Sequence, residues 1–265
     1  MKRLFLGVVV AAALGVPRAS MASDRWENFD GGSWQSGATD NELTPGSVQE
    51  HDMEGAADED WMIVSQRPYS SYEVRVDGMS DGLTYTTGSG DTLAVDLVES
   101  DGTLVASGYV LAAPGTARTV TFRNDTATTN DEQNIRISSP FCNPCTAADS
   151  GYSIRMYETT YTIPRFNNSA TQVTVLVLQN SAGSSVAPTA HFFNSAGTLL
   201  ASQAQTIASH GTFVLNTSTI AALAGQSGSI IVTNTGRYGV LNGKAVAVEP
   251  STGFTFDTTM LPRPQ

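Results

Sequence analysis

Apolar and polar positions alternate in short runs along most of this chain, and the runs are the length of strands. Tyr72-Glu73-Val74-Arg75-Val76 and Leu93-Ala94-Val95-Asp96-Leu97 set every second side chain on one face, the period of a half-buried strand. Asp60 to Val64, Val110-Leu111, Thr119 to Phe122, Asn134 to Ile137 and Tyr152 to Met156 continue the pattern. Turn signals separate the runs at Asp77-Gly78, Asp81-Gly82, Asp101-Gly102 and Pro114-Gly115. Short strands at this spacing predict a β-sandwich. Past Thr159 the pattern resumes. Gln172 to Leu178 is apolar on both faces and predicts a central strand. A hairpin at 191–202, then Thr212 to Leu215, Ser229 to Val232, Lys244 to Val248 and Phe254 to Phe256 follow it. Ser218 to Ala224 predicts one helical turn, capped by Ser218 and closed by Gly225.

Two of the runs echo each other. Val98-Glu99-Ser100-Asp101-Gly102-Thr103-Leu104-Val105-Ala106-Ser107 and Phe193-Asn194-Ser195-Ala196-Gly197-Thr198-Leu199-Leu200-Ala201-Ser202 both hold Ser-x-Gly-Thr between apolar segments. Gly supplies the positive φ of a tight reversal, so each predicts a β-hairpin. The echo reads either as a duplicated unit or as two independent hairpins of a common type.

The first 22 residues read as a secretory signal. Lys2 and Arg3 precede an apolar run, Leu4 to Val16, too short to span a bilayer, and Ser20-Met21-Ala22 offers small residues for cleavage near Ala22/Ser23. The protein is therefore expected to be secreted, periplasmic or on the cell surface, with no later membrane span. Residues 23–43 form a lead-in rich in Gly, Ser and Asp that carries Trp26, Phe29 and Trp34. An acidic sandwich is expected over 44–158, a linker over 159–164 and a second sandwich over 165–262. The fold class is all-β, two tandem antiparallel sandwiches after a cleaved signal peptide.

Charge separates the halves. Residues 24–160 carry 23 acids and 7 bases, whereas 161–265 carry Glu249 and Asp257 against Arg165, Arg237, Lys244 and Arg263. Nucleic acid is excluded as a partner of so acidic a first half, because phosphate contacts need clustered Lys and Arg.

Asp58-Glu59-Asp60-Trp61, the run Asp91 to Leu97 leading into Ser100-Asp101-Gly102-Thr103-Leu104, and the closing Gly151-Tyr152-Ser153-Ile154-Arg155-Met156 resemble the bacterial pre-peptidase C-terminal domain over about 40–158. The resemblance implies a jelly-roll-like sandwich without catalysis of its own, appended to exported proteins. No peptidase domain precedes it here, which departs from the family's usual arrangement. Arg165 to Asn168, Val177 to Asn180 and Gly243 to Phe254 resemble a C-terminal β module of exported bacterial proteins of unassigned function, over about 160–262.

Few residues have the types and spacing of a reactive site. Cys142-Asn143-Pro144-Cys145 reads as a loop-closing disulfide in an oxidising compartment. A redox pair needs a following helix, and zinc needs two further ligands. Ser227 in Gly225-Gln226-Ser227-Gly228-Ser229 has the look of a protease serine, yet no acid lies between Thr159 and Glu249 to complete a triad. His210 reads as a turn residue and His191 as packing or surface. Asp40, Glu42, Asp52, Asp58 and Asp60 are candidate ligands for Ca²⁺, which takes six to eight oxygens. A solvated acidic face is the alternative, and Trp61 reads as core. Some collagen-binding relatives of the pre-peptidase fold bind calcium near their N-terminal linker, which the resemblance brings to these same acids.

The expected function is non-catalytic: an exported protein acting by surface contact, in adhesion, envelope or matrix organisation, or ligand display. The alternative is a Ca²⁺-stabilised module that binds extracellular protein or polysaccharide beside a secreted enzyme.

Overall fold

The computed structural model describes residues 41–53, 58–79, 93–107, 117–138, 151–169 and 171–264; Val110-Leu111 and the turns at Asp81-Gly82 and Pro114-Gly115 lie outside the described residues. Within the described residues the alternating runs are strands. In the first half they are β1 (Val48–Asp52), β2 (Glu59–Gln66), β3 (Ser70–Asp77), β4 (Ala94–Glu99), β5 (Leu104–Ser107), β6 (Arg118–Asn124), β7 (Asn130–Ser138) and β8 (Gly151–Glu158). Two antiparallel sheets result, ordered β1-β8-β3-β6 and β2-β7-β4-β5. Alternation decides the buried face. Tyr72, Val74 and Val76 from one sheet share a core with Val95, Leu97 and Ile135 from the other, and Tyr72, Val74, Val76, Val95 and Ile135 have no exposed surface. Each such side chain stabilises the fold by about 1.5–3 kcal/mol. Trp61 is buried as well, but not in this cluster: it alternates along β2 with the core residues Met62 and Val64, and the Arg136 guanidinium lies over its ring at 5.8 Å.

The second half contains β9 (Tyr161–Asn167), β10 (Val173–Asn180), β11 (Thr189–Asn194), β12 (Leu199–Ala204), β13 (Thr212–Asn216), β14 (Ser227–Thr233), β15 (Leu241–Glu249), β16 (Phe254–Thr259) and β17 (Leu261–Pro262). Its sheets are ordered β13-β10-β15-β16 and β12-β11-β14-β9-β17. They enclose a separate core that includes Ile163, Phe166, Leu176, Phe192 and Ile230. The chain is all-β, two antiparallel sandwiches in tandem.

The two sandwiches repeat one topology. Strands β2 to β8 correspond in order to β9 to β15. Every pairing of the first set (β2 with β7, β4 with β7 and β5, β3 with β6 and β8) recurs in the second. Even the register is kept. Leu97 faces Ile135 where Phe192 faces Ile230, and Val98 faces Leu104 where Phe193 faces Leu199. Both hairpins carry their register shift at the same place, Leu97/Val98 and Phe192/Phe193. Gly102 and Gly197 turn them with φ of 85° and 78°. Of the two readings of the echo, the duplicated unit is the one this strand-by-strand match supports. The outer edge is filled differently, by β1 from before the unit in the first copy and by β16 from after it in the second.

Four details differ from the sequence expectation. The linker is shorter than 159–164: only Thr159 and Thr160 separate β8 from β9, and both are buried. The helical turn is two short 3-10 turns, Thr217–Thr219 and Ala221–Leu223, and Asn216 rather than Ser218 caps the first by accepting from the Ser218 N–H. β10 is central in its sheet, but only one of its apolar faces is buried. Polar and Pro-containing sequence hid β1, β9 and β17, which gain their order by pairing with strands far along the chain.

Polar contacts lock the sandwiches together. The buried Glu158 carboxylate accepts from Arg67 and from Arg263 Nε, the latter at 2.5 Å. Arg263 lies just beyond β17 and also donates to the carbonyls of Pro68 and Tyr69, at 3.1 Å each. Asn234 donates to the Thr159 carbonyl (2.7 Å), and its N–H reaches Ser71 Oγ (3.1 Å). The Tyr238 N–H donates to Glu73 Oε2 at 2.7 Å.

Candidate functional site

Four of the five candidate calcium ligands lie among the described residues; Asp40 lies outside them. Asp60 is fully buried on β2, where its carboxylate accepts from the Tyr152 hydroxyl and stands 3.5 Å from His51 Nδ1. His51 stacks on Tyr152, with ring centroids 5.4 Å apart, and shares a 3.0 Å hydrogen bond with Gln49. Gln49 in turn donates to Asn41 and to the Glu42 carbonyl. The Glu42 side chain is exposed, and Asp52 and Asp58 are half-buried. Among the described residues, no three His, Cys, Asp or Glu side chains converge as a metal group. Asp60 is thus already engaged by a tyrosine hydroxyl and a histidine inside the fold. Cys142 and Cys145, with the disulfide expected between them, lie outside the described residues, as does the signal segment.

Ser227 begins β14 and is exposed. His210 occupies a turn at φ 55°, as expected, with its N–H on the Ala182 carbonyl. His191 does more than pack. It is 1% exposed and shares hydrogen bonds with Ser202 Oγ through Nδ1 (2.9 Å) and with Asp125 Oδ1 through Nε2 (3.2 Å). This Ser-His-Asp string crosses the seam, since Asp125 follows β6 of the first sandwich. Sequence reading missed it because the acid joins the string only when the two sandwiches dock. Burial pushes the Asp125 carboxyl up, but hydrogen bonds from His191 and Thr233 and the charge of Arg123 outweigh it and hold the group below its ordinary value. Tyr69, held at φ 49°, covers His191 and Phe193 with ring centroids 4.9 and 5.1 Å away. A non-glycine residue in that region is uncommon and is kept there only by its surroundings. The string is placed to clamp the seam.

Three recesses bordered by described residues open to solvent. One of about 310 Å³ lies between Leu43, Pro45, Arg67, Tyr72 and Glu158, with Glu42 also on its wall, and there Arg67 and Glu158 pair with each other. A second, of about 510 Å³, is bordered by Thr121, Ser184, Thr235 and Arg237. The largest of these three, about 620 Å³, is lined by the second sandwich and runs between Arg165 on β9, Asn194 at the end of β11 with Ser195 just after it, and Ser227 and Ser229 on β14.

The outward face of sheet β13-β10-β15-β16 carries a patch of valines bordered by polar residues, with Lys244 opposite Val177 and Asn216 opposite Val175. Val173, Val175 and Val177 of β10 sit in register with Val248 and Val246 of β15 and Val214 of β13. Val214 is 61% exposed and the others are half-buried. Beyond them Thr255 and Asp257 continue the face, with Asp257 accepting from Lys244 at 2.6 Å. Six valines on one solvent-facing sheet exceed the scattered apolar residues that any surface carries.

No family model matches the chain, and no curated protein matches it. Among solved structures, Bacteroides uniformis β-glucuronidase 2 covalently bound to cyclophellitol-6-carboxylate aziridine is similar at 10% identity over 78% of this chain and 26% of that one, with a TM-score of 0.18. A glycosyl hydrolase family 2 member from Bacteroides cellulosilyticus gives 10% identity over 84% and 30%, with a TM-score of 0.22. A calcium-binding mutant of the Bacteroides uniformis enzyme gives 11% over 76% and 26%, with a TM-score of 0.18. The chain spans less than a third of the length of these proteins. Likeness at these scores carries no argument about activity or ligand.

Proposed function

We propose that this is an exported, non-catalytic contact protein in which two fused sandwiches present one apolar sheet face to a protein of the cell envelope or surrounding matrix. The valine face on β13, β10 and β15 carries the reading. A flat, β-branched surface buries well against another apolar surface, and the polar seam fixes its orientation. The partner is a different protein rather than a second copy. The strongly acidic first half is joined rigidly to the face, and like charge opposes the approach of two such chains. The resemblance to the pre-peptidase C-terminal domain supports export and the lack of catalysis.

The test is retention of the mature protein on isolated envelopes of the producing cell, compared with Val175→Lys/Val177→Lys. Loss of at least ten-fold in retention, with the melting temperature kept, is expected. Unchanged retention would remove the valine face from the function, and turnover of ester, peptide or glycoside substrates would overturn the non-catalytic reading. Melting in millimolar Ca²⁺ against EDTA separates the calcium-stabilised alternative, because a ligand of the folded state alone raises the transition by mass action. A rise of several degrees would give the acids of the first sandwich a metal.

A further inference from the structure

The two copies of the repeated unit treat one position in opposite ways. In the first sandwich, Gln133 on β7 lies opposite Glu99 on β4. Its side chain donates to Glu99 Oε1 at 2.8 Å and accepts from Gln66 Nε2 at 2.6 Å, tying the last residue of β2 to the last of β4. In the second sandwich the counterpart of Gln133 is Gly228, which lies opposite Asn194 on β11. A Cβ there would stand 1.9 Å from the Phe193 carbonyl oxygen. So the backbones close up and no side chain crosses the space above them. The groove of about 620 Å³ is what this leaves.

Asn167 and Ser169 in the groove wall bond each other, but several other donors that line it have no partner among the described residues. The hydroxyls of Ser195, Ser227 and Ser229 make no hydrogen bond among the described residues, and neither does the Asn194 amide nitrogen, its Oδ1 being occupied by the N–H groups of Ala196 and Thr198. Arg165 forms no ion pair among the described residues, and its guanidinium sits 5.6 Å from the centroid of the exposed Phe256 ring. No Asp or Glu lines the groove among the described residues, in a chain whose net charge is −11. Its size falls in the range of about 300–1,000 Å³ found for small-ligand sites.

We propose that this groove binds an acidic saccharide, with Arg165 pairing with the carboxylate or sulfate and the serine and asparagine groups bonding the sugar hydroxyls. A single cation among several neutral hydrogen-bonding groups fits a polyhydroxylated chain with one charge per unit. It fits a compact phosphate poorly, because such sites gather several cations or a row of backbone N–H groups. Guanidinium recognises carboxylate in two-pronged fashion, so Arg165 sets the preference for acidic over neutral sugars. The site is separate from the valine face and stands or falls without it.

The experiment is calorimetric titration of the mature protein with an oligogalacturonate, alongside a neutral dextran oligosaccharide and sodium acetate. The variants are Arg165→Gln, and Ser229→Gln, which puts a longer amide back over the groove. Oligogalacturonate is expected to bind, to weaken at least ten-fold in each variant, and to weaken further at 0.5 M salt. Dextran and acetate should bind far less, and Val175→Lys/Val177→Lys should bind as the wild type does. Arg165 is exposed, so Arg165→Gln keeps its fold even if Ser229→Gln does not; circular dichroism melting checks both. No binding of oligogalacturonate at millimolar concentration overturns the proposal. So does equal binding of acetate or dextran, or affinity unchanged in a folded Arg165→Gln.

Discussion

Leu97 and Phe192 hold the same place in the two sandwiches, opposite Ile135 and Ile230, yet the positions around them have diverged. Next to Leu97, Asp96 pairs with Arg136 inside its own sandwich at 2.8 Å. Its counterpart His191 reaches across the seam to Asp125 instead. Gln133 fills the end of its sheet, and Gly228 leaves the same place open. The difference teaches that the strand order and the inward residues make the frame, while the positions that face outward or sideways are free to acquire separate roles. One copy closes itself, and the other offers a groove and an apolar face.

The matched core residues give the largest effects. Phe192→Ala is expected to cost about 3–5 kcal/mol and Leu97→Ala about 2–5 kcal/mol in denaturant unfolding, through lost transfer energy and the cavity left behind. Because the seam couples the copies, each variant should lower one common transition. Two transitions in either variant, with only one of them shifted, would show that the copies unfold separately.

Glu158→Ala attacks that coupling directly. It leaves Arg67 and Arg263 without their shared carboxylate, and removal of one partner of a buried pair costs about 3–5 kcal/mol. Arg67 is 45% exposed, so the low end of that range is expected. Calorimetry should resolve two transitions where the wild type shows one. A single transition at the wild-type temperature would mean that the other seam contacts suffice.

Gly228→Ala and Gln133→Ala compare the same position in the two copies. A Cβ on Gly228 forces the Phe193 carbonyl away and should cost about 1–3 kcal/mol. Gln133→Ala loses two side-chain hydrogen bonds and should cost about 1 kcal/mol. Equal losses would erase the contrast between a filled and a closely packed site.

Much of the frame was legible because a period of two and an x-Gly-Thr turn are local signals. Tyr72 to Val76 and Leu93 to Leu97 declare their buried face within five residues, and each hairpin forms between neighbours in sequence. The seam was not legible. Glu158 gathers Arg67 and Arg263 from opposite ends of the described chain, and the Ser202-His191-Asp125 string needs both sandwiches in place. The Gln172 to Leu178 run signals apolarity on both faces but carries no information on what covers the second. Arg165 and Ser229 look like ordinary strand residues until the register brings them to one groove.

Asp125 supplies the smallest effect and the one most specific to the seam. Its folded-state pKa lies below the ordinary carboxylate value, because the hydrogen bonds from His191 and Thr233 and the charge of Arg123 prefer the ionised form. A group of this kind stabilises the fold fully above its unfolded pKa, about 3.9, and loses that contribution as pH falls through the lower folded value. Asp125→Asn keeps the shape of the side chain but not its charge. The variant should therefore be less stable than the wild type at pH 6–7 by about 0.2–1 kcal/mol, the scale of a partly exposed pair. Denaturant titrations from pH 7 down to pH 3 should show the two curves converging on the acid side. Curves that separate as the pH falls would show that the ionised carboxylate does not hold the seam, and the string would then owe its place to the packing of Tyr69 over His191.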